Sequence, residues 1–304
     1  MTKKSASTLP IVGIYGLGIM GGTMAETLLD HGYTVCGFDI DAKAKTRFKK
    51  YGGQFLSHAS DVAARADIVI VSVATSKALE QVTQAIVEGQ HTRKAKIPPI
   101  VIETSTLTMA DKNLFAKTLK SARVAALDCP ISGTAVRIQD RAWTIFASGP
   151  QIAYKKALPV LQVFTDNVPY VGVFGNGTKL KFSANHLVAI YNVAYAESVA
   201  LARKMGLDPQ EVLKLFGNSP VIGTGVMRLR MDMMAKRKYS PPTMKVEVWQ
   251  KDMEVIGQMA KSVDCPTPLF QACASIYTAA MAQGLSQEDT ASTAEVFAKM
   301  AGIP

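Results

Sequence analysis

The segment Ile11–Asp39, IVGIYGLGIMGGTMAETLLDHGYTVCGFD, constrains the fold of this chain more than any other. A short apolar run leads into Gly16, Gly18 and Gly21, spaced G-x-G-x-x-G. An amphipathic helical pattern follows, and a second apolar run ends in Asp39. Strand, glycines, helix, strand and terminal acid in that order form a dinucleotide-binding fingerprint. Gly16 is expected to turn the chain sharply out of the strand, Gly18 to let the backbone approach a pyrophosphate, and Gly21 to seat the helix close to the sheet. Free N–H groups at the helix start, with the helix dipole, favour phosphates there. Asp39 stands near the offset of about 20 residues at which an acid meets ribose hydroxyls. A carboxylate at that place accepts hydrogen bonds from a free diol and repels a 2′-phosphate, which favours NAD. Lys43 and Lys45 follow closely and keep NADP open.

The first part of the chain alternates β-type runs (Ile11–Tyr15, Thr34–Phe38, Ile68–Val73, Ile100–Glu103, Val124–Leu127) with helical patterns. That alternation predicts a mostly parallel sheet covered on both faces. Two further β-type segments, Trp143–Ser148 and Val168–Val173, extend the pattern, with a helix expected between them from Pro150. After Gly177 the character changes. Thr178 to about Met205 holds neither proline nor glycine and predicts a helix roughly 40 Å long. Gly206 suits its end, and Asp208-Pro209 reads as an N-cap with proline at the first helical position. Helices are then expected over Pro209–Phe216, Gly225–Ala235, Met244–Val263, Pro268–Gln283 and Ser286–Met300. The expected architecture is a dinucleotide-binding α/β domain over 1–175 and an all-α substrate and oligomerisation domain over 176–304, joined by the long helix, with a ligand cleft at the carboxyl ends of the strands.

Composition narrows the function classes. With 304 residues and 48% hydrophobic content the chain supports two globular domains. No apolar run reaches bilayer length, and the basic start MTKKSASTLP lacks the apolar core of a signal peptide, so a cytoplasmic protein without membrane partners is expected. Cys36, Cys129, Cys265 and Cys273 form no C-x-x-C pair, which argues against a metal site or a disulfide framework, and Cys129 reads as a buried structural thiol. The net charge of +10 admits either nucleic-acid binding or a solvated basic surface that attracts anionic small molecules. No helix-turn-helix signature and no aromatic-rich basic stripe supports the former.

Four further constellations carry chemistry. In Asp128–Thr134, DCPISGT, Ser132 offers a hydroxyl, and Gly133 and Thr134 offer close-approaching N–H groups. Read alone, this is either a carboxylate-binding loop or an ordinary turn. In Gly175–Asn185, Lys181 and Asn185 stand i and i+4 on one helical face. Burial lowers a lysine pKa and would fit Lys181 for general acid/base work; the other reading is a solvent-facing lysine, which is what Lys179 is expected to be. Lys251, in WQKDM, either contacts cofactor or substrate anion or pairs with Glu247 on a helix surface. Glu103–Thr106 closes a strand, so the hydroxyls of Ser105 and Thr106 can reach the nicotinamide side.

Together these motifs resemble the β-hydroxyacid dehydrogenase family, which includes 3-hydroxyisobutyrate dehydrogenases, tartronate semialdehyde (2-hydroxy-3-oxopropionate) reductases and threonate dehydrogenases, with 6-phosphogluconate dehydrogenase a larger relative. The resemblance runs from about Ile11 to Gly302 and rests on Gly16, Gly18, Met20 and Gly21; on Ser105-Thr106; on the loop Asp128–Thr134; on Gly175, Gly177, Lys181 and Asn185; and on Lys251-Asp252-Met253. Thr134 departs from the family's second glycine. The resemblance implies a Rossmann domain followed by a helical one, and hydride transfer between NAD or NADP and a small β-hydroxy acid. It implies Lys181 and Asn185 as catalytic residues, and Ser132, Gly133 and Thr134 with them around the substrate. It implies a cofactor-facing set of Gly16, Leu17, Gly18, Ile19, Met20, Gly21, Asp39, Val73, Ala74, Ser105, Thr106 and Lys251, and a homodimer or homotetramer. The pocket lining is expected from Met227–Met234 and Trp249 beside the Ser132 loop. The competing expectations are an imine or ketone reductase of the same architecture and a non-catalytic NAD-binding protein.

Overall fold

The computed structural model describes residues 9–135 and 138–304. The chain divides into two compact units, Met1–Lys181 and Phe182–Pro304. In the first, strands β1 (Val12–Tyr15), β2 (Val35–Phe38), β3 (Gln54–Phe55), β4 (Ile68–Val71), β5 (Ile100–Glu103) and β6 (Ala125–Asp128) form one parallel sheet in the order β3-β2-β1-β4-β5-β6. That order reverses between β1 and β4, and a crevice opens at the carboxyl ends of the strands where the winding changes direction.

Period-two alternation assigns the strand side chains to two cores. Val12, Ile14, Ile68 and Ile70 face one side, where α1 (Ile19–Asp30) contributes Met24, Ala25 and Leu28 and α6 (Gln151–Leu161) contributes Ala157 and Val160. Tyr15, Val69, Val71 and Val101 face the other. There they meet Val62 and Ala63 of α3 (Ser60–Arg65), Leu79 and Ile86 of α4 (Ser76–Thr92), and Phe115 and Leu119 of α5 (Met109–Ser121). The helix α2 (Ala42–Lys50) starts at Asp41, whose side chain accepts from the Lys43 N–H; its Lys43–Lys50 cluster carries most of the basic run.

Two expected strands fall outside this sheet. Within Trp143–Ser148 only β8 (Thr144–Ile145) is a strand, and it pairs antiparallel with β7 (Ile131–Ser132) in a separate ribbon. Val168–Val173 makes a single bridge, Tyr170 to Ala147; Pro169 within it has no N–H to give a ladder. Conversely, β3 joins the sheet edge although two residues are too few to show any periodicity.

The long helix α7 covers Asn176–Lys204, 29 residues, and runs across the division between the units. The second unit adds α8 (Pro209–Phe216), α9 (Gly225–Lys236), α10 (Val246–Ser262), α11 (Pro268–Ala282) and α12 (Thr293–Met300). Val199 of α7, Met227, Met231 and Met234 of α9, and Ala294 of α12 share one core. The helix expected from Ser286 starts later, with a 3-10 turn at Thr290–Ser292 leading into α12. Asp289 decides this: fully buried, it caps the turn by accepting from the Ala291 N–H at 2.9 Å while it pairs with Arg230. Among the described residues no helix is long and apolar enough to cross a membrane, and no group of three or more metal-ligating side chains assembles.

Candidate active site

The glycine turn sits at the end of β1, where the sheet order reverses. Gly16 has φ +84°, and a Cβ there would strike the Ser72 carbonyl at the end of β4. At Gly21 a Cβ would collide with the Gly16 carbonyl, so α1 rests directly on the turn. Around Gly18 a Cβ would meet nothing within 4 Å. Its missing side chain therefore serves no contact inside this chain and leaves the backbone open to an external group. Gly18 is also the N-cap of α1 and supplies no side-chain cap, whereas α4 and α5 are closed by Thr75 and Thr108. The uncapped N–H groups of Ile19 and Met20 suit a pyrophosphate, and a dinucleotide fits this cradle. Leu17 is fully buried beneath the turn and Ile19 is exposed above it.

Asp39, at the end of β2, turns one carboxylate oxygen to the Leu17 N–H (2.6 Å) and the other to the Asp41 N–H (2.8 Å). The acid expected to meet the ribose is thus tied to the glycine turn itself. Arg47 of α2 supplies a second tie, donating to the carbonyls of Leu17 (2.5 Å) and Gly18 (3.0 Å). Sequence reasoning passed over Arg47 because it lies inside a run of solvated lysines; only the packing of α2 against α1 singles it out.

Val73 and Ala74 follow β4 on the opposite lip of the crevice. The Val73 N–H donates to the Ser105 hydroxyl oxygen at 2.9 Å, so the turns after β4 and β5 are joined. Ser105 is buried and braces this joint, and Thr106 beside it is half-buried.

The loop after β6 separates into two parts. Ser132, the last residue of β7, is half-buried and Gly133 is exposed. Gly133 has φ +147°, and a Cβ there would run into the Trp143 indole, whose Nε1 donates to the Thr134 carbonyl at 2.8 Å. The loop is folded over the fully buried Trp143. Thr134 Oγ1 is buried with no hydrogen-bond partner among the described residues. Asp128, at the start of the loop, is fully buried and points away from it. Its carboxylate accepts from the Thr178 N–H (2.8 Å) and hydroxyl (2.7 Å), capping the first turn of α7. Lys181 lies one turn beyond and is half-buried, while Lys179 is exposed. Cys129 is fully buried, and burial pushes its thiol well above its ordinary pKa, as suits an unreactive core cysteine.

Four residues past Lys181 on α7, Asn185 is 5% exposed and donates its Nδ2–H to Asp252 Oδ2 at 2.8 Å. A carboxylate only accepts, so the amide must turn its NH2 toward Asp252 and hold Oδ1 as its available acceptor. Asp252 also pairs with Lys251 at 2.9 Å. Glu247, a possible partner for Lys251 by spacing, lies 3.7 Å from Lys245 and accepts from Gln287. The part of Asp252 was invisible in sequence, because the link to Asn185 spans 67 residues. Met227, Met231, Met234 and Trp249 of the expected pocket lining are buried in the second unit.

Comparison with known proteins agrees with these features. Residues 11–172 match the family model described as the NAD binding domain of 6-phosphogluconate dehydrogenase. Residues 175–297 match that described as NAD-binding of NADP-dependent 3-hydroxyisobutyrate dehydrogenase. The chain is 29% identical to the mitochondrial 3-hydroxyisobutyrate dehydrogenase of Homo sapiens, over 96% of this chain and 87% of that one. It is 27% identical to the chloroplastic glyoxylate/succinic semialdehyde reductase 2 of Arabidopsis thaliana, over 97% of this chain and 81% of that one. Among solved structures, a 3-hydroxyisobutyrate dehydrogenase from Salmonella typhimurium superposes with a TM-score of 0.81 at 27% identity, covering 94% of this chain and 99% of that one.

Proposed function

Because this chain belongs to the β-hydroxyacid dehydrogenase family, as an NAD(P)-dependent oxidoreductase of small hydroxy acids, we propose that it oxidises the β-hydroxyl of a small carboxylic acid with Lys181 as general acid/base. The observation that carries this reading is the α7 motif. Its first turn is anchored by buried Asp128, Lys181 follows one turn on, and Asn185 follows one turn later with its amide oriented by Asp252. A general base needs a fixed place before it needs a tuned pKa, and this helix is fixed on both sides of the lysine.

In this reading the substrate carboxylate is received by the Ser132 hydroxyl and the N–H groups of Gly133 and Thr134. Asn185 Oδ1 accepts from the Lys181 amine and so orients it toward the substrate hydroxyl. Neutral Lys181 takes the hydroxyl proton as the carbinol carbon gives up its hydride and its C–O bond becomes a carbonyl. In the reverse direction the ammonium returns the proton. The nicotinamide, when bound, supplies the hydride acceptor. Substrates of the 3-hydroxyisobutyrate, threonate or tartronate semialdehyde/glycerate type fit these demands. Asp39 favours NAD over NADP, and the Arg47 guanidinium beside the turn is already engaged by the turn's carbonyls and by Glu26 at 3.7 Å.

The test is nicotinamide absorbance with NAD and NADP against 3-hydroxyisobutyrate, L-threonate, glycerate and L-serine, and with the reduced cofactors against tartronate semialdehyde and a cyclic imine. Turnover of a hydroxy acid is expected, and Lys181→Ala is expected to remove at least about 100-fold of it while NAD affinity stays. Turnover preserved in Lys181→Ala, or turnover of the imine alone, sinks the proposal.

A further inference from the structure

We propose that Lys112 is a positioning residue, which holds the first turn of α7, and with it Lys181, in register with the turns after β4 and β5. The inference rests on the acid/base reading of Lys181 and extends it to a residue outside the motifs.

On α5, Lys112 occupies the apolar stripe it shares with Phe115 and Leu119, and its side chain is 0% exposed. Its ammonium lies 2.5 Å from Glu103 Oε2 and 2.7 Å from Asp128 Oδ1, both carboxylates also 0% exposed. Burial lowers the lysine's proton affinity, but Asp128 and Glu103 outweigh it and the net shift is upward, so the ammonium stays charged. One cation between two anions in a dry interior is a costly arrangement, and apolar side chains of similar volume would commonly be at least as stable. What such a cluster adds is direction, because every lone pair and proton in it must find a partner.

Those partners form a continuous path. Glu103 Oε1 accepts the Ser105 N–H at 2.7 Å, and Ser105 Oγ accepts the Val73 N–H at 2.9 Å. Asp128 accepts both Thr178 donors, and the Ser148 hydroxyl, which bonds Asp128, accepts the Gly177 N–H at 3.1 Å. The path therefore runs Val73, Ser105, Glu103, Lys112, Asp128, Thr178, from the nicotinamide lip of the crevice to the residue three places before Lys181. Lys112 is its only cation among the described residues. Without that cation two buried carboxylates face each other, one of them must take up a proton, and the protonated one loses an acceptor that this path needs.

The experiment compares Lys112→Met, Thr178→Val and the conservative Thr178→Ser with the parent, as full-length protein below its melting temperature. It reads kcat and KM with NAD on 3-hydroxyisobutyrate and L-threonate, together with hydrogen exchange over residues 177–181. For Lys112→Met and Thr178→Val, kcat is expected to fall about 10- to 100-fold with KM for NAD nearly unchanged. Thr178→Ser is expected to restore kcat, and exchange in the first turn of α7 to accelerate in Lys112→Met. Folded variants with lower Tm but parental kcat and parental exchange at 177–181 overturn the proposal and leave the cluster a stability element. If Lys112→Met does not fold, the Thr178 pair decides alone. Lys181→Ala measured alongside separates the two readings: retained turnover there refutes the acid/base role, while exchange at 177–181 still decides whether Lys112 holds the turn.

Discussion

At the scale of single residues, side chains of one type are sorted by their partners. Asp39, Asp128, Asp252 and Asp289 are four aspartates with four tasks. Asp39 faces the glycine turn, Asp128 caps a helix, Asp252 orients an amide, and Asp289 pairs with a buried arginine. Of these, Asp39 is the one proposed to bear on cofactor choice, since a carboxylate at that place would repel a 2′-phosphate and accept from ribose hydroxyls. For Asp39→Asn the ratio of kcat/KM for NAD to that for NADP is expected to fall at least about tenfold, read by steady-state rates with each cofactor. An unchanged ratio would show that discrimination lies elsewhere. Lysines are sorted in the same way: Lys179 is solvated, Lys181 half-buried and Lys112 fully enclosed. The signal for Lys112 is present in the chain, since it stands in phase with Phe115 and Leu119, but a lysine in an apolar stripe becomes meaningful only once its carboxylate partners are located.

At the scale of elements, the turn from β1 into α1 shows how three glycines in one motif do different work. Gly16 answers to backbone conformation, Gly21 to helix-on-turn contact, and Gly18 to neither. Gly21→Ala should therefore cost stability, about 1–3 kcal/mol from forced overlap, with Tm falling by several degrees. Gly18→Ala should leave Tm at the parental value while weakening NAD binding, measured by calorimetry. Equal effects of the two on Tm would contradict this division. Helix boundaries were legible where a local signal marked them, as with Asp208-Pro209 opening α8. They were not legible at Ser286, because the local pattern is helical and the tertiary pairing of Asp289 with Arg230 delays the helix.

At the scale of the whole molecule, the second unit leaves apolar surface along α7 and the residue that follows it. Leu187, Tyr191, Ala194, Ser198, Leu201 and Met205 recur at alternating intervals of four and three residues, and all are exposed, Leu201 at 58% and Met205 at 59%. A three-four stripe with small residues at its centre suits a second helix of the same kind. Self-association through this face is accordingly expected, with light scattering giving a dimer or larger species for the parent and a smaller one for Leu201→Glu. A monomeric parent at micromolar concentration would refute it.

The glycine spacing, the alternation of apolar runs and the loss of proline and glycine after Gly177 were enough to establish an α/β half followed by a helical half. The glycine turn and the shared helical face of Lys181 and Asn185 could be read from spacing, because each signal is local, whereas the cofactor-facing parts expected of Val73, Ala74 and Lys251 came from the family resemblance. A turn, a cap or one helical face is set by residues within a few positions of each other. Which distant groups meet is set by packing: Arg47 with the Leu17 and Gly18 carbonyls, Asp252 with Asn185, and Lys112 with Glu103 and Asp128. Hydrogen bonds and ion pairs act over about 3 Å, and only the packing of the sheet and helices brings residues far apart in the chain within that reach.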